Sequence, residues 1–241
     1  MPGLYSNLEA LIAHNSITAV IIGSTILAIL TTLSLLIKKP NNSLKKFLFI
    51  SFCLVTIGTT LFLAGSTIYL NTVSLSKGPV HYHADIEIWA CGEEINLKDP
   101  NGWSNKIGTA TLHEHNDKRI HLEGVVVEEN DVSLGKFFNV IGGNITNTTL
   151  MVPTNKGVIV PGIKGDYCQN IQNPKLQFFV YKIMGKQMVQ TKLTNPTNYN
   201  ISPFSAVPPG DCIIIEYDKE KDKTDKLCRS FQVAKQLGKI Q

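Results

Sequence analysis

The stretch VHYHADIEIWAC, residues 80–91, decides the expected class of fold because apolar and polar side chains alternate strictly along it. Successive side chains of a β-strand point to opposite faces, so this period of two predicts a strand with one buried face. One face then carries Val80, Tyr82, Ala84, Ile86, Ile88 and Ala90, and the other carries His81, His83, Asp85, Glu87 and Trp89. The second face is therefore rich in groups that can ionise or bind a metal.

The segments after this strand predict more strands and one helix. A turn at Cys91-Gly92 leads into a return strand at 93–97, and short strands are expected at 111–115 and 118–124. VSLGKFFNVIGG (132–143) has apolar residues at helical spacing, with Ser133 as the candidate N-cap. The pattern thus changes from strand to helix within about 60 residues.

The C-terminal half returns to strands and ends with a predicted helix. LQFFVYKI (176–183) and MVQTKL (188–193) read as a hairpin, and CIIIEY (212–217) reads as a buried strand. Residues 219–240 are expected to form an amphipathic helix with Leu227, Phe231, Ala234 and Gly238 near one stripe. This order predicts an α+β domain, with a mixed sheet crossed by one helix and similar to a β-grasp.

Five of the six histidines lie within residues 81–121. Each HxH pair places two imidazoles on the same side of a strand, about 6.5–7 Å apart. Glu123 follows His121 at the same spacing, and zinc sites need three or four nitrogen, oxygen or sulfur ligands. The predicted ligands or near-ligands are His81, His83, His113, His115, His121 and Glu123. Asp85, Glu87 and Asp117 are further carboxylates nearby, whereas Glu114 would point away from His113 and His115 on a regular strand.

The types of candidate ligand narrow the choice of metal. Imidazole and carboxylate suit zinc, Cu(II), nickel or Fe(II), and no methionine or free thiolate clusters here to favour Cu(I). Zinc is the first choice and copper the second. Two other interpretations of the histidines are a cluster that senses pH near 6 and ordinary surface or core residues.

The chemical motifs favour a binding protein over an enzyme. HEHND has only the HxH spacing, and HExxH, GxSxG, a phosphate loop and a dinucleotide fingerprint are all absent from the sequence. We therefore expect a non-enzymatic metal-binding domain. The alternatives are a metal-dependent hydrolase acting on cell-envelope material, which needs an open metal position, and a cell-surface interaction or adhesion module.

Two apolar runs near the N-terminus predict a membrane hairpin. Residues 17–37 form an uncharged run of 21 positions, and this run is longer than the apolar region of a signal peptide. A second uncharged apolar run follows it. The loop between the runs has four lysines and no acid, so it should face the cytoplasm. The predicted organisation is an outer segment 1–16, spans 17–37 and 47–72, a cytoplasmic loop 38–46, a linker 73–79 and an extracytoplasmic domain 80–241.

The net charge of +4 equals the contribution of those four lysines. The rest of the chain has 19 basic and 19 acidic residues, because 23 minus 4 leaves 19. The excess of basic residues therefore indicates the orientation of the chain in a membrane rather than nucleic-acid binding. The expected partners are the lipid bilayer and an envelope or surface partner, and the sequence does not indicate an oligomeric state.

Four cysteines belong to the predicted outer domain, and Cys53 lies in the second span. An even number in an oxidising compartment predicts two disulfides, and spacing alone leaves three pairings open. We favour Cys91 with Cys168 and Cys212 with Cys228, because the second pair would join the last strand to the terminal helix. No CxxC motif is present, so a disulfide-exchange centre has no support.

Several motifs together resemble a known family. They are HYHADIEIW with CGEEI, HEHNDKRIHLEG, VSLGKFFNVIG, DYCQN with KLQFFVY, and GDCIIIEYD. This combination resembles a family of membrane-anchored proteins of small-genome bacteria and archaea, over most of residues 79–237. The resemblance implies an external domain on an N-terminal anchor and implies no activity. The chain differs in having two predicted spans where one is common, and IMGKQ (183–187) where a tight Asn-Gly turn is expected.

Overall fold

The structure is a computed structural model that describes residues 8–159, 168, 171–201 and 210–241. The chain divides into two compact units, Met1–Gly78 and Pro79–Gln241. Each unit has its own set of secondary-structure elements.

The first unit contains two long helices, α1 at Leu8–Leu36 and α2 at Asn42–Val73. Both are long and apolar enough to cross a membrane. The side chain of Asn41 caps α2 by accepting a hydrogen bond from the Leu44 N–H at 2.8 Å. Most of the large apolar side chains on both helices are exposed.

The second unit is an α+β domain. Its elements in chain order are β1 Pro79–Ala90, β2 Glu93–Glu94, β3 Ile107–Gly108, β4 Leu112–Glu114, β5 Arg119–Val125, α3 Leu134–Val140, β6 Asn144–Ile145, β7 Leu150–Thr154, β8 Gly157–Ile159, β9 Lys175–Met184, β10 Gln187–Lys192, β11 Asp211–Asp218 and α4 Arg229–Gln236. A short 3₁₀ turn, Glu129–Val132, precedes α3.

Within the described residues, eight strands form one mixed sheet in the order β10-β9-β11-β1-β5-β4-β3, with β2 also paired to β1. β1 and β11 run parallel, and the other neighbours are antiparallel. β6, β7 and β8 form a separate small sheet. The α+β class, the mixed sheet and the C-terminal helix are confirmed, and the narrower comparison with a β-grasp stays a prediction.

The two faces of the large sheet bury different sets of residues. On the α3 face, Phe137 and Phe138 pack with the inward side chains of the strands, such as Ile86 and Ile213, in one large core. The α4 face has a smaller core, in which Phe231 and Ala234 of α4 join Phe179, Tyr181 and Ile214. The alternation in β1 is as predicted, so its histidines and acids lie on the α4 face.

The terminal helix is shorter than predicted. α4 spans only Arg229–Gln236, not 219–240, because the preceding segment forms contacts that a helix would break. The Tyr181 hydroxyl lies 3.1 Å from the Thr224 carbonyl and 2.9 Å from the Lys226 carbonyl, and Lys221 forms an ion pair with Glu216. Sheet side chains therefore occupy the carbonyl groups that helical hydrogen bonds would need.

Both favoured cysteine pairs lie at disulfide distance. The Cα atoms of Cys91 and Cys168 are 5.4 Å apart, and those of Cys212 and Cys228 are 5.8 Å apart. Cys228 directly precedes α4 and Cys212 lies in β11, so this pair fixes the start of the helix to the sheet. Cys53 is a free cysteine in α2.

Candidate metal centre

Strand register brings the histidines together. In the β1–β5 pair, His83 lies opposite His121 and His81 lies opposite Glu123. In the β4–β5 pair, His113 lies opposite the same His121. Residues directly opposite one another on neighbouring strands project from the same face, so three adjacent strands place their imidazoles in one row. All of this row lies on the α4 face.

His115 reaches the same row although it lies just beyond β4. Its ring centre is 4.7 Å from that of His113 and 4.8 Å from that of His121. Its Nδ1 lies 2.5 Å from the backbone carbonyl oxygen of Asn105. A carbonyl oxygen only accepts, so Nδ1 donates this hydrogen bond and Nε2 keeps a free lone pair. The ring is therefore held in an orientation that leaves a metal-binding nitrogen available.

The six predicted residues form two overlapping triads and one shared carboxylate. Potential ligand atoms lie within 4.8 Å of one another in the triad His81, His83 and His121, and likewise in the triad His113, His115 and His121. Glu123 extends between them. Its Oε1 is 3.3 Å from His81 Nε2, and its Oε2 is 3.8 Å from His113 Nε2. We call these six residues the histidine cluster.

His113 is the most unusual member of the histidine cluster. It is only 1% exposed, and among the described residues neither of its ring nitrogens has a hydrogen-bond partner. An unpaired polar group in the interior costs about 1–3 kcal/mol, so a ligand bound at these nitrogens would stabilise the folded protein. Burial, followed by the nearby His115 and Lys106, lowers the pKa of His113 to about 4. The ring is therefore neutral near pH 7, as metal binding requires.

Asp117 supports His121 from the turn between β4 and β5. Its Oδ2 lies 2.9 Å from His121 Nε2, and an ionised carboxylate only accepts, so Nδ1 of His121 has the free lone pair. A carboxylate that orients a metal-binding histidine is a common feature of metal sites. Glu114 shapes this turn, because its Oε1 accepts a hydrogen bond from the Asp117 N–H at 2.8 Å.

The pKa of His83 is also lowered, so protonation of this ring is disfavoured. Burial lowers its pKa, and the neighbouring imidazoles of His121 and His81 lower it further. Its Nε2 lies 2.9 Å from the Nε2 of His81, so the two nitrogens converge on one point. The pKa values of His83 and His113 are thus both lowered, which weakens the interpretation of the cluster as a pH sensor.

The remaining predicted acids have other roles. Asp85 accepts hydrogen bonds from Arg119 Nε at 2.7 Å and from the Ser230 hydroxyl. Glu87 accepts from Trp89 Nε1 at 3.2 Å and from the Arg229 N–H at 3.1 Å. Both carboxylates thus fix α4 to the sheet and are not brought to the histidines. Glu114 lies on the opposite face from His113, as the alternation predicts.

A cavity of about 570 Å³ lies beside the cluster, against α4. Asp117 lines this cavity and also contacts His121. Its walls combine the acids Asp85 and Glu87 with the apolar side chains of Val233 and Leu237. Sequence reasoning missed this cavity because its wall depends on where α4 begins. It also missed the Asn105 carbonyl, since a backbone acceptor leaves no mark in residue type.

Comparison with known proteins does not assign the chain to a family. No protein-family model matches the chain, no curated protein matches it, and no solved structure matches it. The resemblance to a membrane-anchored family therefore stays a prediction. A functional assignment has to rest on the geometry of the histidine cluster.

Proposed function

We propose that this chain is a membrane-anchored, extracytoplasmic metal-binding protein that binds zinc, with copper as the second choice, and does not act as an enzyme. The observation that carries this proposal is His113, a buried imidazole with no hydrogen-bond partner among the described residues, within a row of five histidines. A bound cation would take up the free nitrogen lone pairs of this row.

The donor set supports zinc first. The histidine cluster offers imidazole nitrogens and one carboxylate, which are ligands that Zn²⁺ and Cu(II) both accept. The cysteines at Cys91, Cys168, Cys212 and Cys228 are paired with each other and provide no thiolate for Cu(I). Zn²⁺ also has no geometric preference from its d-electrons, so it tolerates a site built from two adjacent HxH pairs.

The placement outside the cytoplasm has independent support. Both N-terminal helices are long and apolar enough to span a bilayer, and the loop between them holds Lys38, Lys39, Lys45 and Lys46. Two cysteine pairs at disulfide distance fit an oxidising compartment. We therefore propose a multi-pass membrane protein, with the N-terminus and the C-terminal domain both on the outer side.

The test is elemental analysis of the full chain in detergent. The protein is stripped with a chelator, reloaded with Zn²⁺, freed of unbound metal and measured for zinc per chain. We expect at least one zinc per chain, and less than about 0.2 after His83→Ala with His113→Ala. His14→Ala is the matched control, because His14 is the one histidine outside the cluster. A wild-type content below about 0.2 would overturn the proposal.

A metal-dependent hydrolase acting on envelope material is the second candidate, and the cavity favours it. Asp117 lies in the cavity wall and next to His121, which is where a general base near a metal would be needed. The zinc-loaded chain would release soluble fragments from purified cell-envelope material, and a chelator or Asp117→Asn would stop it. Unchanged release in the presence of the chelator would reject this candidate.

A further inference from the structure

We propose that the histidine cluster holds two metal ions, bridged by the Glu123 carboxylate. The inference rests on the proposed metal-binding function and adds a second ion to it. The inner ion would be bound by His113, His115, His121 and one oxygen of Glu123. The outer ion would be bound by His81, His83 and the other oxygen of Glu123.

The number of ligands is the first reason. A tetrahedral zinc ion takes four protein ligands at most, and six residues converge here. If a single ion took four of them, the other two residues would remain beside it without a role. Two ions use all six residues, with four ligands on one ion and three on the other.

The position of Glu123 is the second reason. Its two oxygens face different histidines, since Oε1 is 3.3 Å from His81 Nε2 and Oε2 is 3.8 Å from His113 Nε2. Ligand atoms around one tetrahedral zinc ion lie about 3.3 Å apart, given bond lengths of about 2.0–2.1 Å. A carboxylate whose oxygens reach both triads is suited to join two ions about 3.5–4 Å apart, as in known two-metal sites.

The free lone pair of His121 decides how the ligands divide. Nε2 of His121 is occupied by Asp117, so only Nδ1 is free and this residue can bind one ion. Its ring centre is 4.8 Å from that of His115 and 5.6 Å from that of His113, and 4.7 Å from that of His83, so two of its three ring neighbours belong to the inner triad. His113 and His121 are also both buried. We assign His121 to the inner ion for this reason. The inner ion is then closed by four protein ligands.

The outer ion keeps an open position. His81 is 62% exposed, and its Nε2 is 2.9 Å from the Nε2 of His83, so the pair converges at the solvent side of the cluster. Three protein ligands leave a fourth position for water or for a group of a partner molecule. We therefore expect the outer ion to exchange with solution and the inner ion to be retained.

The first experiment counts ions. The full chain in detergent is titrated with Zn²⁺ and analysed for zinc per chain, before and after a short treatment with a weak chelator. We expect about two ions per chain, of which about one survives the chelator. His81→Ala with His83→Ala should lower the maximum to about one and leave the retained ion unchanged, because His81 is exposed and its loss does not disturb a core. His14→Ala is again the control.

The second experiment tests the bridge with Cu(II) in place of zinc. Two Cu(II) ions joined by a carboxylate couple magnetically and show a half-field transition in electron paramagnetic resonance spectra. Glu123→Gln should remove this transition, since an amide offers only one oxygen, while Glu129→Gln on the exposed 3₁₀ turn should leave it unchanged. Circular dichroism of each variant verifies that the fold is kept.

The outcomes separate the two proposals. About two ions with a half-field transition that depends on Glu123 supports the bridged pair. A maximum of about one ion, abolished by changes in either triad, overturns the second ion and leaves the metal-binding function standing. Two ions without coupling overturns the bridge. A wild-type chain without bound metal overturns both the pair and the proposed function.

Discussion

The two faces of the large sheet differ in how completely they are covered. On the α3 face, apolar side chains from β1, β5, β11 and β9 meet α3 in a continuous core. On the α4 face, a short helix covers one end of the strands and the histidine cluster lies at the other. Because side chains alternate along each strand, one sheet can have a large apolar core on one face and a cluster of candidate metal ligands on the other.

The largest expected effect is on the α3 face. Phe137→Ala removes a fully buried aromatic ring from that core and should lower the free energy of unfolding by about 3–5 kcal/mol. Denaturant unfolding of the full chain in detergent, followed by circular dichroism, measures it. Leu237→Ala, at an exposed position of the α4 side, should change stability by less than about 0.5 kcal/mol. Equal losses for the two variants would contradict the division between the faces.

The disulfide between Cys212 and Cys228 should give the next largest effect, because it joins the start of α4 to β11. Replacing both buried cysteines with Ala removes a bridge of 16-residue separation and should lower the free energy of unfolding by about 3 kcal/mol. The measurement is the same unfolding experiment with and without reductant. Cys53→Ala serves as the control, and a reductant without effect on the wild type would contradict the pairing.

Acidification should destabilise the metal-free protein through His113. Its pKa is about 4 in the folded protein and about 6.5 when unfolded, so the unfolded chain binds more protons between these values. The contribution of neutral His113 to the free energy of unfolding should therefore be fully present above pH 6.5. The free energy of unfolding should then fall by up to about 3 kcal/mol as the pH drops to about 4. Unfolding curves in chelator at several pH values measure this slope.

A matched variant isolates this contribution of His113. His113→Gln does not titrate, so its stability should fall less than that of the wild type over the same range of pH. Identical slopes for the two proteins would contradict the assignment of a lowered pKa to the buried ring.

The smallest effect concerns the support of the cluster rather than its ligands. Asp117→Asn keeps the shape of the side chain but removes the carboxylate that orients His121, and should weaken zinc affinity by about 10–100-fold. Competition with a fluorescent chelator measures the affinity. Asp99→Asn, in a loop outside the cluster, is the control. An unchanged affinity would show that His121 does not depend on this contact.

Much of the sheet could be predicted from the sequence because its local patterns are strong. The alternation in residues 80–91 predicts β1 and the face of each side chain, and Ser133 is correctly placed as the N-cap of α3. The pairing of β1 with β11 could not be predicted, since it depends on contacts between distant segments. The predicted length of α4 was wrong because Tyr181 of β9 contacts carbonyl groups of the segment that precedes α4.

The candidate site shows the same limit. The HxH spacing identifies which histidines share a face, because that property is local to each strand. That His83, His121 and His113 stand directly opposite one another is a matter of register between strands, which spacing does not contain. The turn that brings Asp117 to His121 depends on Glu114, a residue that is on the other face of the sheet.

The parallel pairing of β1 with β11 has a consequence for how the domain is made. These two strands are the first and the last of the sheet in chain order, so the centre of the sheet cannot close until nearly the whole domain has been synthesised. The strands that carry the histidines are neighbours in sequence and can pair earlier. The cluster can thus assemble while the strand that completes the sheet is still being synthesised.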